Sequence, residues 1–181
     1  MPEVTPICQF GTKAIPFSLK GVDEKIYNLE ELQGKSGVLI MFICNHCPYV
    51  KGVIDRIVAD VKYLQEKGIG CVAIMSNDVE NYPEDSFENM KKFSKKHKFS
   101  FPYLYDETQE IAKKYGAVCT PDFFGYNKRL ELQYRGRLDN AGISGEKIKV
   151  KELLNAFNNI IETGTGPEKQ TSSMGCSIKW K

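Results

Sequence analysis

The sequence predicts an α/β protein with a central mixed sheet flanked by helices. Three observations carry that expectation. Residues 37–43 and 69–75 are almost continuously apolar, amphipathic segments of helical spacing follow them, and two short strand-like runs joined at Asn127-Lys128 precede a last helix. Continuously apolar strands suit a sheet covered on both faces, and a closing hairpin makes the sheet mixed.

After a loose start, residues 15–19, 21–24 and 25–27 read as short strands around a turn, an N-terminal β-hairpin extension. Leu29-Glu30-Glu31-Leu32 is one helical turn ended by Gly34. The strand at residues 37–43 leads into a helix from Tyr49 to about Glu66. There Val50, Val53, Ile54, Ile57, Val58, Val61 and Leu64 share a face, Pro48 suits the first turn and Gly68 the stop. A second buried strand spans residues 69–75. Pro83-Glu84-Asp85 begins the next helix, with acids in its first turn and lysines in its last, matching the helix macrodipole. A short strand follows at residues 101–105. Asp106-Glu107-Thr108-Gln109 has the form of a capping box, for a helix running to Tyr115 and Gly116. Strands at residues 121–126 and 131–135 form the hairpin. The last helix starts near Ser144 or Gly145 and buries Val150, Leu153, Leu154, Phe157, Ile160 and Ile161. One domain over residues 1–163 is expected, with a C-terminal tail at 164–181 that is polar and flexible up to Met174.

With 25 basic and 23 acidic residues the net charge is +2, which points to neither nucleic acid nor a membrane as partner. Lys91, Lys92, Lys95, Lys96 and Lys98 read as a solvated helix face. The N-terminus lacks a basic start followed by an apolar stretch, so the expected location is the cytoplasm. Six scattered cysteines, Cys8, Cys44, Cys47, Cys71, Cys119 and Cys176, are unlike a secreted disulfide framework.

Only one cysteine pair has motif spacing, in Cys44-Asn45-His46-Cys47-Pro48. Two cysteines at the end of a buried strand and the start of a helix describe a dithiol placed where backbone N–H groups favour a thiolate. Such a pair works by exchange: a thiolate attacks a disulfide sulfur and the second cysteine releases the product. An imidazolium at His46 would stabilise the thiolate. A zinc site would need a second CxxC or clustered histidines to complete it, and no cofactor motif is present.

Together the strand, the CxxC, the helix after it, and Thr120-Pro121 ahead of a hairpin and last helix resemble the thioredoxin fold. Gly11, Ala14-Ile15-Pro16-Phe17-Ser18-Leu19, Gly21, Leu29, Leu32 and Gly34-Lys35 are similar to the opening of the peroxiredoxin and redoxin (AhpC/TSA) families. Cys-Asn-His-Cys-Pro-Tyr-Val, Cys-Thr-Pro-Asp-Phe-Phe and Gly-Cys-Ser-Ile-Lys-Trp resemble a peroxiredoxin-like subgroup. The resemblance implies a thioredoxin-like fold, with Cys44 as exposed nucleophile and Cys47 as the more buried resolving thiol. It places a cis-proline at Pro121 beside the dithiol, where Thr120-Pro121 presents backbone groups to an extended substrate. Two features depart from the thioredoxin pattern: Ile43 replaces the usual Trp before the first cysteine, and Val38 stands where thioredoxins bury an Asp. Deprotonation of the resolving thiol then needs another base or a water.

The leading expectation is a thiol-disulfide oxidoreductase acting on protein or small-molecule disulfides, re-reduced by a thioredoxin reductase or glutathione system. A peroxidase is the alternative, with Cys47 peroxidatic, Cys44 in the position of the peroxiredoxin threonine, and Arg129, Arg135 and Arg137 as candidate partners. A non-catalytic binding module or metal chaperone is the third. Cys119 directly precedes Thr120 and reads as a small buried residue or a further thiol. Cys176 is a possible third redox thiol, carried by a tail whose Ile178 and Trp180 gain by burial.

Overall fold

The computed structural model describes residues 1–181. Its central strand β4 (Gly37–Phe42) is buried at every position, as the apolar run requires. Successive side chains alternate between two cores: Leu39, Met41 and Ile43 enter one, Val38, Ile40 and Phe42 the other. The first core lies under helices α2 (Pro48–Lys51), α3 (Ile54–Glu66), α4 (Phe87–Lys96) and α6 (Glu152–Thr163). The second is closed by α1 (Leu29–Leu32) and α5 (Glu110–Tyr115).

The sheet has two runs. One is the order β3 (Ile26–Asn28), β2 (Ser18–Gly21), β6 (Tyr103–Tyr105), β5 (Ile69–Met75), and the other is β4, β8 (Asp122–Asn127), β9 (Leu132–Tyr134). They meet where β4 lies against β5, with the Ile43 N–H donating to the Ile74 carbonyl at 3.0 Å. Only β5 and β6 form a parallel ladder and the other ladders are antiparallel, so the sheet is mixed, flanked by helices on both faces, and thioredoxin-like as expected.

Several boundaries differ from the sequence expectation. The single helix from Tyr49 breaks into α2 and α3 at Gly52, which is pressed against Ile143 where a Cβ would clash. Pro83–Asp85 is only a 3-10 turn, because the Ser86 hydroxyl caps the Asn89 N–H and α4 starts after it. No capping box opens α5. Instead the buried Asp106 carboxylate accepts the N–H groups of Ile111 and Ala112 and the Ser76 hydroxyl. Gly116, at φ 69°, ends α5 in the left-handed region as expected. The last helix starts at Glu152, residues 142–144 form a separate turn, and Val150 is exposed.

Residues 174–177, expected on a tail, form a strand. β10 (Met174–Ser177) lies between β1 (Pro2–Val4) and β7 (Cys119–Thr120) in a three-stranded antiparallel sheet. Cys176 faces Pro2 on one side and Thr120 on the other. Beyond the strand, Ile178 is buried in the second core, and Trp180 stays partly exposed with Lys113 Nζ 5.5 Å above its ring. Residues 164–181 therefore pack along the domain and are not a loose appendage.

Candidate active site

Strands β4 and β5 end at the same edge, so the loop after β5 falls beside the Cys44–Cys47 turn after β4. In open α/β sheets that crevice is where sites are built. Cys44 to His46 form the turn itself, and Cys47 is the N-cap of the four-residue α2. Both sulfurs are covered: Cys44 is 1% and Cys47 0% exposed. The expectation of an exposed Cys44 is corrected here, because the loop after β5 and the turn at Thr120 close over it.

Thr120-Pro121 is a cis peptide, the arrangement implied by the resemblance. The Thr120 hydroxyl lies 3.4 Å from Cys44 Sγ, and its carbonyl oxygen lies 3.3 Å from Cys47 Sγ, a contact that Cys47 donates to only while it keeps its proton. Cys176 approaches from β10, in register with Thr120, and packs against the core that contains Cys44 and Cys47. Cys47, Cys44, Thr120, Pro121 and Cys176 thus gather in one place.

The two dithiol sulfurs hold one proton between them. The Cys47 thiol is drawn down from 9.0 to about 5, first by the hydrogen bond from Cys44, then, against the cost of burial, by Cys176 and Thr120. Cys44 moves well up, first because that bond keeps its proton, then through burial and the Asp85 carboxylate. Of the two, Cys47 is the thiol that these surroundings favour for ionisation. Cys176 is pushed up to about 11 by burial and by the bond it gives Cys47. Cys119 is fully buried, its thiol pointing at the Pro121 carbonyl, and burial drives its ionisation far up, so it serves as a small core residue. Cys71 is likewise buried and raised.

Asp85 is the residue that sequence reading missed. It is fully buried and receives the Asn45 N–H at 2.8 Å and the Asn77 side-chain amide at 2.9 Å. His46 Nδ1 stands 2.6 Å from its Oδ2, out of line for a hydrogen bond, and the imidazole stacks on Tyr82 with ring centroids 5.8 Å apart. His46 is thus held beside Asp85, with a ring nitrogen within 4.8 Å of Cys44 Sγ. The Tyr103 hydroxyl donates to the Asn45 side-chain oxygen at 2.8 Å, fixing the turn between the cysteines. The usable signal was topological: a polar stretch after a buried strand that ends at the same sheet edge as the dithiol.

Cys44, His46 and Asp85 each offer a ligand atom within 4.8 Å of the others. Two ligands of one tetrahedral zinc stand roughly 3.3 Å apart given bonds near 2.0 Å. The 2.6 Å between His46 Nδ1 and Asp85 Oδ2 is too short for that pair of atoms to share an ion, so an ion here would have to use His46 Nε2 or part them. The three arginines expected as peroxidase partners are bound elsewhere: Arg129 to Glu131, Arg135 to Asp122 and Arg137 to Glu152.

An apolar groove of about 400 Å³ runs from Pro121, Tyr49 and Phe123 to Leu138, Ile143 and Met174. A polar cleft of about 370 Å³ between Lys35, Asn127 and Glu162 contains no cysteine and lies away from the dithiol.

Comparison with known proteins agrees with the fold. Residues 10–139 match the AhpC/TSA family. A crystal structure of an uncharacterized conserved protein from Geobacillus kaustophilus is 45% identical, at TM-score 0.93, covering 100% of this chain and 97% of that one. A hypothetical protein from Sinorhizobium meliloti 1021 is 32% identical, at TM-score 0.93, covering 100% and 99%. The thioredoxin domain of a thiol-disulfide oxidoreductase from Bacteroides vulgatus shares the fold at TM-score 0.65 and 13% identity, over 87% of this chain and 99% of that one. No curated protein matches the sequence.

Proposed function

The chain belongs to the AhpC/TSA family, and from that premise we propose that it is a thiol-disulfide oxidoreductase whose working pair is Cys44 and Cys47. The observation that carries this reading is that both sulfurs meet at the end of β4 against Thr120, where the hydrogen bond between them draws the Cys47 thiol down and pushes the Cys44 thiol up. That assignment reverses the order implied by the resemblance: Cys47 attacks and Cys44 resolves.

Cys47 Sγ attacks one sulfur of a substrate disulfide, forming a mixed disulfide and releasing the first thiolate. Once Cys47 has lost its charge, Cys44 no longer shares its proton with a neighbouring anion. Its proton passes to the Asp85–His46 pair, which takes the place of the acid that Val38 fails to supply. Cys44 then attacks Cys47 Sγ, the Cys44–Cys47 bond forms, and the second product thiolate leaves. Two electrons pass from the dithiol to the substrate. Return to the dithiol takes a thiol reductant of the thioredoxin-reductase or glutathione kind, in a reducing compartment such as the cytoplasm.

The test is reduction of insulin disulfides with dithiothreitol as electron source. Cys47→Ser is expected to lower turnover by ~10³-fold or more. Cys44→Ser should stall after the first exchange, with Cys47 held in a disulfide that Cys44 cannot resolve. Full turnover by Cys47→Ser would overturn the assignment. The peroxidase reading shares the Cys47 thiolate but has no free arginine to orient peroxide, and it ranks second.

A further inference from the structure

The Cys44 and Cys47 sulfurs are shut off from solvent, yet Cys176, which bears on Cys47, is partly exposed. A pair that exchanges with substrate needs a route outward. Cys176 is held in register with Thr120 by the β10–β7 ladder. That is the position where, by the resemblance, an extended substrate would pair and present its own sulfur to the site. β10 therefore sits as a substrate strand would sit, with its cysteine facing the dithiol.

We propose that Cys176 is the outer thiol of a three-sulfur relay, through which a low-molecular-weight disulfide exchanges with the buried pair. The proposal rests on the dithiol reading above and names its substrate class. A small disulfide is favoured over a polypeptide because β10, itself paired with β1 on its other side, already occupies the edge of β7 that faces it at Thr120.

The relay balances at each step. Cys176 loses its proton to solvent and attacks the disulfide RSSR, giving a Cys176–SR mixed disulfide and one RS⁻. The Cys47 thiolate attacks Cys176 Sγ, forming Cys47–Cys176 and releasing the second RS⁻. Cys44, its proton passed to the Asp85–His46 pair, attacks Cys47 Sγ. The Cys44–Cys47 bond forms and Cys176 leaves as a thiolate that takes up a proton. RSSR has gained two electrons, the dithiol has lost two, and Cys176 returns unchanged. The β10–β7 register, which sets Cys176 beside the Thr120 that Cys47 Sγ contacts, places the reacting sulfurs for the second step.

The experiment mixes the fully reduced, full-length protein with oxidised glutathione, quenches with iodoacetamide at intervals and maps disulfides by mass spectrometry. In the wild type the Cys44–Cys47 bond should accumulate. In Cys176→Ser it should form at least tenfold more slowly. In Cys44→Ser the relay stops one step early, and a Cys47–Cys176 bond should accumulate. Wild-type speed in Cys176→Ser, or glutathione retained on Cys47 in Cys44→Ser with no Cys47–Cys176 bond, overturns the relay and leaves the dithiol reading intact. Failure of the wild type to form Cys44–Cys47 at all overturns both.

Discussion

Cys47 and Cys44 differ in surroundings more than in sequence. Donors converge on Cys47, whereas the Asp85 carboxylate faces Cys44. Ultraviolet titration of the reduced protein should therefore show one thiolate persisting at neutral pH and lost with a midpoint near 5. The folded value of Cys47 is depressed below 9.0, so its contribution is fully present above about pH 9 and is lost as pH falls through about 5. Cys44, raised, works the other way and costs stability above its unfolded value. Asp85→Asn removes the charge that opposes Cys44 ionisation, so the second thiol step should move to lower pH, readable in the same titration. An unmoved second step would remove Asp85 from the site. At this scale the cysteines, His46 and Thr120-Pro121 were legible from spacing and resemblance. Asp85 was not, because it reads equally well as a helix-start acid, and only the approach of two loops gives it a different place.

Among the elements, β10 carries the most information about the site. Gly175 lies against the Thr120 carbonyl, where any Cβ would collide with backbone. Gly175→Ala should push β10 off β7 and uncover the dithiol. Because a shift of ~1.4 kcal/mol in a local opening is tenfold in its population, alkylation of Cys47 by iodoacetamide should speed up about tenfold or more. Unchanged alkylation would mean that β10 does not shield the site. The strands of the main sheet were legible because their apolar runs are long. β1, β7 and β10 were not, being two to four residues each and lacking a pattern that such lengths can carry. The break at Gly52 was hidden for another reason: the apolar spacing continues across it, and the close approach of Ile143 that requires glycine there comes from far along the chain.

For the molecule as a whole, two cores share one sheet, and one buried ion pair ties strand to strand. Arg135 and Asp122 pair at 2.9 Å, 8% and 0% exposed at the side chain, with the guanidinium over the Phe124 ring. Burial raises Asp122, and Arg135 offsets that. Breaking such a pair from one side leaves an uncompensated buried charge, so Arg135→Ala should cost ~3–5 kcal/mol in urea unfolding. A loss below ~1 kcal/mol would show that water reaches Asp122 readily. The layered α/β architecture was legible from the order of apolar runs. The closure of the chain was not, since the β1–β10 pairing joins Pro2 to Cys176 and no local signal reports a contact of that span.

That pairing also fixes a timetable. Synthesis runs from the N-terminus, so Cys44 and Cys47 leave the ribosome with most of the main sheet still to be made, and β10 is among the last elements to appear. At ~5–20 residues per second, the roughly 130 residues between Cys47 and Cys176 take on the order of 6–26 s. During that interval the nascent dithiol lacks the cover that β10 gives it in the folded chain.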